Sequence, residues 1–336
     1  MRRPREEWQM HLASRRRIVT CALAAALSAA LPQTAGAVTA NRERALEGSS
    51  YVVSQQRASG AICAFSCIGS TADAIESLVA ARTAPRAVRN ALTYLRGQVQ
   101  RGHGGAVGLR AKIVMAAVAG GADPRSFGGT NLVAAIRATE DAGRFGSAAV
   151  FDQALAILAL RAAGVGASAQ ARHWLAAAQC ADGGWQYDEP VSGSDNQHCR
   201  STVDPGGDFF TSDSNTTSLA VQVLRTGSRV NDALSFLTTL RDGTAGWGYS
   251  QCCTTTDTNS TAMAIQAYVA AGVGVPSGAL AALRQLQLHC GAWRYQAGGP
   301  ADIGGTIGAI LGILRQTLPV PQVDAAYPLP PAGSCA

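Results

Sequence analysis

The chain has 336 residues, 47% of them apolar and only 15% charged, enough to bury one large core or two small ones. Its net charge of +6 is concentrated at the front, where Arg2, Arg3, Arg5, Arg15, Arg16 and Arg17 against Glu6 and Glu7 supply +4 and leave about +2 beyond residue 37. With no later arginine cluster and a single lysine, Lys112, the composition excludes a nucleic-acid footprint.

Residues 1–37 have the layout of an export signal: a basic start, an apolar run from Ile18 to Ala30, then Ala35-Gly36-Ala37 as a small-x-small cleavage site. "SRRRIV" (14–19) also fits a twin-arginine pattern. No later run approaches the ~18 apolar residues of a membrane span. The expectation is a secreted product with no span after cleavage. Losing the signal loses Cys21 and leaves Cys63, Cys67, Cys180, Cys199, Cys252, Cys253, Cys290 and Cys335. An even number in an exported chain favours disulfides, with no pairing chosen by the sequence. Cys252 and Cys253 are expected to bond to different partners, because a bridge between adjacent residues strains the peptide link.

From residue 45 the chain repeats. An aromatic or small residue, an aliphatic, a Gln, a Gly and a Trp fall at offsets 0, +1, +5, +9 and +11. Tyr51, Val52, Gln56, Gly60 and Ile62 fit this frame, followed by weaker copies from Tyr94 to Gly105 and from Ala134 to Phe145. Trp174, Leu175, Gln179, Gly183 and Trp185 fit it fully. Phe236, Leu237 and Trp247 follow with Arg241 in the Gln slot, then Ala282, Leu283, Gln287, Gly291 and Trp293. The final positions are 43, 40, 40, 62 and 46 residues apart. A period near 40 marks a supersecondary unit that must stack on its neighbours to bury its apolar face. Each unit predicts an amphipathic first helix, a Gly-rich turn and an Ala-rich second helix that is apolar nearly all round, as in 152–166, 216–227, 260–274 and 305–316.

Between Trp185 and Asp213 lie 28 positions, against 10 from Trp247 to Asp257, so the fourth unit carries an insertion of about 18 residues. Segment 187–210 holds Asp188, Glu189, Asp195, His198, Asp204 and Asp208. Oxygen ligands of this kind suit Ca²⁺, but no fixed ligand spacing is present; a solvated loop pinned by Cys180 and Cys199 is preferred, and no metal is expected. Residues 319–336 form a Pro-rich tail expected to be extended.

The Gln-x3-Gly-x-Trp frame resembles the "QW" repeat of the prenyltransferase/squalene-oxidase superfamily, which includes the terpenoid cyclases. The resemblance implies an all-α fold: an α/α toroid of about six inner and outer helix pairs around a central cavity, spanning 38–318. It casts Trp174, Gln179, Gly183, Trp185, Trp247, Gln287, Gly291 and Trp293 as clasps, the Gln bonding free backbone groups at the turn and tying one outer helix to the next.

Chemistry is then sought where the inner helices begin. Asp213, Asp257 and Asp302 occupy equivalent places, each four residues before a Thr. Helix capping accounts for all three; they are also the catalytic candidates. Squalene-hopene-type cyclases carry a protonating Asp at such a start, but here Asn259 and Asn215 stand in its place. An amide is no Brønsted acid. In protein prenyltransferases a zinc-ligating Cys stands where these two Asn are, so that site is unsupported. "DTNSTAMAIQAY" (257–268) is similar to a helix start of cobalamin-binding toroids. Asn215, Thr217, Gln222, Asn259, Thr261, Gln266, Tyr268 and Thr306 are expected to line the cavity. His173 and His289 are expected to pack or cap rather than catalyse, and His103 sits in a repeat turn. The first expectation is a non-catalytic binder, without cofactor, of a small hydrophobic, isoprenoid or corrinoid-like ligand or of an extracellular protein partner. The alternative is a cyclase, prenyltransferase or glycan-active enzyme using the inner-helix Asp residues.

Overall fold

The computed structural model describes residues 35–146, 149–188 and 211–335. The export segment up to residue 34 and the 189–210 part of the inserted loop, with Cys199, lie outside them. In chain order, outer α1 (Ala35–Ser54) leads to inner α2 (Cys67–Ala80), outer α3 (Pro85–Gln100) to inner α4 (Val107–Ala119), and outer α5 (Leu132–Arg137) to inner α6 (Val150–Ala162). Outer α7 (Ala169–Ala177) leads to inner α8 (Ser214–Leu224), α9 (Ser228–Thr239) to α10 (Thr258–Ala270), and α11 (Ala279–Gln285) to α12 (Ile303–Leu314). Two-residue hairpins, β1 (Glu140–Asp141) with β2 (Arg144–Phe145) and β3 (Trp293–Arg294) with β4 (Ala301–Asp302), decorate two of the turns.

Each inner helix packs against the next, and α12 packs back on α2 while α1 covers α12. The ring therefore closes into the expected α/α toroid, with six helix pairs among the described residues. Small residues set its tightness: a Cβ on Gly312 would meet Ala262 Cα at 2.8 Å, so α10 and α12 touch backbone to backbone.

The repeat frame is a clasp at every strong copy. Trp185, Trp247 and Trp293 are fully buried, and their indole N–H groups donate to Leu175, Leu237 and Leu283 carbonyls at 2.7–2.8 Å. Gln179 Nε2 donates to its own turn at Gly183 and to Arg229 of the next outer helix, both at 2.8 Å. Gln56 reaches Gly60 and Ala87 in the same way. Arg241 serves in the Gln slot, donating to Ala245 at 3.1 Å and Ser277 at 2.8 Å. In the third unit the glutamine comes from the inner helix: Gln153 Nε2 donates to Gly143 and Ala171. Gly183 turns at φ +89°, where a Cβ would meet the Asp232 carbonyl at 2.7 Å, so only glycine lets the turn lie on the neighbouring helix.

Disulfides join Cys63 to Cys67 and Cys290 to Cys335, and Cys180 is also disulfide-bonded. Cys252 and Cys253 correct the expectation of separate partners: both are exposed thiols, turned toward each other by the tight loop that carries them.

Candidate functional site

The inner helices begin at one end of the ring, the mouth, and finish at the other, the floor. The C-terminal tail closes that floor. Leu318 lines the cavity and its N–H donates to Gln222 Oε1 at 2.8 Å. Val320 is buried, and its backbone hydrogen-bonds to the Glu76 carboxylate. Beyond it, the N–H groups of Ala326 and Tyr327 donate to the Arg82 carbonyl at 2.8 and 3.1 Å. The Arg42 guanidinium lies 4.5 Å from the Tyr327 ring centroid, and Cys335 finishes the strap in its bridge to Cys290.

The cavity, open at the mouth, has a volume of about 250 Å³. Met115, Phe151, Leu219, Met263, Ile307 and Leu311 give it an apolar wall. Against this stand three ionisable side chains, Asp73 and Glu76 one turn apart on α2 and Lys112 on α4. Lys112 Nζ lies 2.7 Å from Asp73 Oδ2. Burial works against the Lys112 ammonium, but Asp73, Glu76 and Asp152 outweigh it and hold the amine protonated. Burial first, and then the Asp73 charge, push the Glu76 carboxyl up to about 8, against the pull of the Val320 N–H and of Lys112. At neutral pH, Glu76 is therefore mostly the acid form beside an ion pair. Its Oε1 is buried without a hydrogen-bond partner, as are Asn215 Oδ1 and Gln266 Oε1 on the same lining.

Around the mouth runs an arc of aromatics. Tyr187, Tyr249 and Tyr295 each follow a turn tryptophan by two residues and stay 38–46% exposed. Their carbonyls accept first-turn N–H groups of the preceding inner helices, from Phe151, Ser214 and Thr258. Phe65, 92% exposed, also lines the cavity opening. Carboxylates lie close beneath: burial, then Asp257, Asp302 and Cys253 raise the Tyr295 phenol to about 12.

The three Asp candidates are N-caps. Asp213 accepts from Thr216 N–H at 2.7 Å, Asp257 from Ser260 N–H at 2.8 Å, and Asp302 from Gly305 N–H. Burial raises Asp213 to about 7 and Asp257 to about 6, their cap bonds pulling the other way. Neither lines the cavity. Of the expected lining residues, Asn215, Asn259 and Gln266 face it, and five do not. Thr217, Thr261 and Thr306 accept the backbone N–H of Trp185, Trp247 and Trp293 at 2.8–3.0 Å, fixing each turn to its inner helix. Gln222 holds the strap. Tyr268 packs on Trp247, with its hydroxyl against Leu234 and Thr238 of the outer layer. Asp73, Glu76 and Lys112 escape a reading built on the later repeats, although charges inside all-round apolar helices must either pair or face a hollow.

No protein-family model matches the chain, and comparison with curated proteins finds no significant match. Solved structures do resemble it. The type II terpene cyclase MstE from Scytonema superposes with a TM-score of 0.57 at 13% identity, over 84% of this chain and 98% of that one. A glycosidase variant in complex with glucose superposes with a TM-score of 0.56 at 12% identity, over 84% and 99%. A protein from Actinoplanes gives 0.55 at 15% identity, over 83% and 98%. Likeness at these identities establishes the toroid fold and nothing finer.

Proposed function

We propose that the chain is an acid–base enzyme of the toroid cavity, acting on an acetal-type C–O bond of a small neutral sugar. Glu76 donates the proton to the leaving oxygen, and Asp73, ion-paired with Lys112 at 2.7 Å, takes the proton of the incoming water. The observation that carries this reading is Glu76: a fully buried carboxyl raised to about 8, with one oxygen unpaired on the cavity lining. A proton donor of that strength matches acetal cleavage near neutral pH. Protonating an alkene calls for a stronger acid than Glu76, Asp213 or Asp257, all raised by burial, so the acetal reading is preferred to the cyclase one. A cavity of about 250 Å³ lies below the usual ~300–1,000 Å³ of drug-sized pockets; it suits one ring rather than a long isoprenoid. A similar glycosidase is solved with glucose and the similar cyclase with its substrate and product, so the fold is compatible with either ligand class and the substrate is left to experiment.

The unpaired amide oxygens of Asn215 and Gln266 favour a second reading, a secreted binder whose ligand supplies the missing donors. The purified protein, incubated with a panel of chromogenic monosaccharide glycosides, separates the two. Turnover lost by at least ~100-fold in Glu76→Gln with an unchanged circular dichroism spectrum supports the enzyme. No turnover together with a stoichiometric co-purified ligand in native mass spectrometry overturns it in favour of the binder.

A further inference from the structure

Cys252 and Cys253 carry chemistry that the cavity does not use. Every other cysteine among the described residues is disulfide-bonded, which marks a chain built for oxidising surroundings. The two that remain as thiols are adjacent and exposed, with Sγ atoms 2.9 Å apart, well inside the contact distance of two sulfurs. Their turn is fixed at its base. Cys253 N–H donates to Ser250 O at 2.9 Å, Ser250 is buried and bridged to Asp213, and a Cβ on Gly248 would meet the Cys253 carbonyl at 2.3 Å. The backbone is thereby folded so that the two side chains meet instead of diverging.

We propose that Cys252–Cys253 is a reversible dithiol–disulfide site at the cavity mouth, whose co-reactant is a low-molecular-weight disulfide. The Cys252 thiolate attacks one sulfur of the small disulfide, forming a mixed disulfide and expelling one small thiolate. The Cys253 thiolate then attacks Cys252 Sγ; the bond from Cys252 to the small molecule breaks, and the second small thiolate leaves. Two protein thiols are oxidised, one small disulfide is reduced to two thiols, and the two protein protons end on those thiols. Contact with Cys253 and then with Ser250 Oγ lowers the Cys252 thiol, which suits it to attack first. The closed bridge places a planar peptide bond inside an eight-membered ring, so it reopens under milder reductant than Cys290–Cys335 does.

Trypsin makes the site separately readable, since cleavage after Arg241 and Arg284 yields a peptide, 242–284, whose only cysteines are these two. The full-length secreted protein is treated with glutathione disulfide, trapped with iodoacetamide and digested. The expected peptide is unalkylated and two hydrogen masses lighter than the dithiol, and it becomes doubly alkylated after mild dithiothreitol while the peptides of Cys290 and Cys335 stay joined. In Cys253→Ser, the resolving thiol is gone and the glutathione adduct accumulates on Cys252. A wild-type peptide that remains doubly alkylated, keeps a glutathione adduct or is joined to another peptide overturns the proposal.

Discussion

Arg44 and Gln287 hold each other across 243 positions of sequence: the Gln287 amide donates to the Arg44 carbonyl at 3.0 Å, and the Arg44 guanidinium donates back to Gln287 Oε1 at 2.9 Å. The first and last outer helices are thus joined by the same clasp that joins consecutive ones. A chain of stacked units needs caps at both ends; this one removes its ends by closing. Gln287→Ala removes the side-chain donor to the Arg44 and Gly291 carbonyls and the acceptor of the Arg44 guanidinium, and is expected to cost about 1–3 kcal/mol of stability. Urea unfolding of this variant beside Gln179→Ala is the check. A negligible loss in Gln287→Ala with a clear one in Gln179→Ala would show that the ring is not closed by this pair.

The strap is expected to do more than tether. Cys335→Ser opens a loop of 45 residues and should cost roughly 4 kcal/mol by loop-closure entropy, while the contacts of Leu318, Val320 and Tyr327 remain. A stop after Gln316 removes those contacts too, including the Val320 N–H that bonds to Glu76. Turnover of the glycoside found active should survive Cys335→Ser at a temperature below its melting point and vanish in the truncation. Equal loss in both variants would reduce the tail to a staple.

Stability should fall as pH rises. The Glu76 carboxyl binds its proton more tightly folded than unfolded, up to about 8 against an ordinary value of 4.5, and Asp213 and Asp257 shift the same way. Between roughly pH 4.5 and 8 the folded state therefore holds more protons, so the stabilisation complete at the acid end is lost toward the alkaline end. Glu76→Gln fixes the neutral form. Its melting temperature should drop less than that of the wild type between pH 5 and 8; parallel curves would mean that Glu76 titrates normally.

The repeat made the architecture legible because a clasp needs the same residues each time: a Trp whose indole reaches back ten positions, a Gln for two carbonyls and a Gly where a neighbour's backbone intrudes. The frame even located Arg241, which does the work of a Gln. It misled about Thr217, Thr261 and Thr306, since recurrence at every unit signals a structural bond rather than a unique site. What is unique occurs once, and repeat alignment passes over it. Asp73, Glu76 and the sole lysine, Lys112, sit in early units whose copies of the frame are weaker, yet each interrupts an apolar inner helix. The Trp-x-Tyr pattern at Tyr187, Tyr249 and Tyr295 was in plain view too, but only the fold shows that a residue two past the clasp stands at the mouth. The facing of Cys252 and Cys253 depends on a tight turn at Gly248 that no spacing rule encodes.

Removing the cation tests the division of labour between the two carboxyls. Lys112→Met keeps the length and apolar stem of the side chain but leaves Asp73, paired at 2.7 Å in the wild type, without its partner. The Lys112 charge lowers the Glu76 carboxyl in the wild type, so its loss favours the neutral form of Glu76. The limb of kcat/KM set by protonated Glu76 should therefore move to higher pH. A profile that keeps its position while the height falls would assign Lys112 to substrate contact instead. One that is unchanged in both respects would remove the Asp73–Lys112 pair from the reaction.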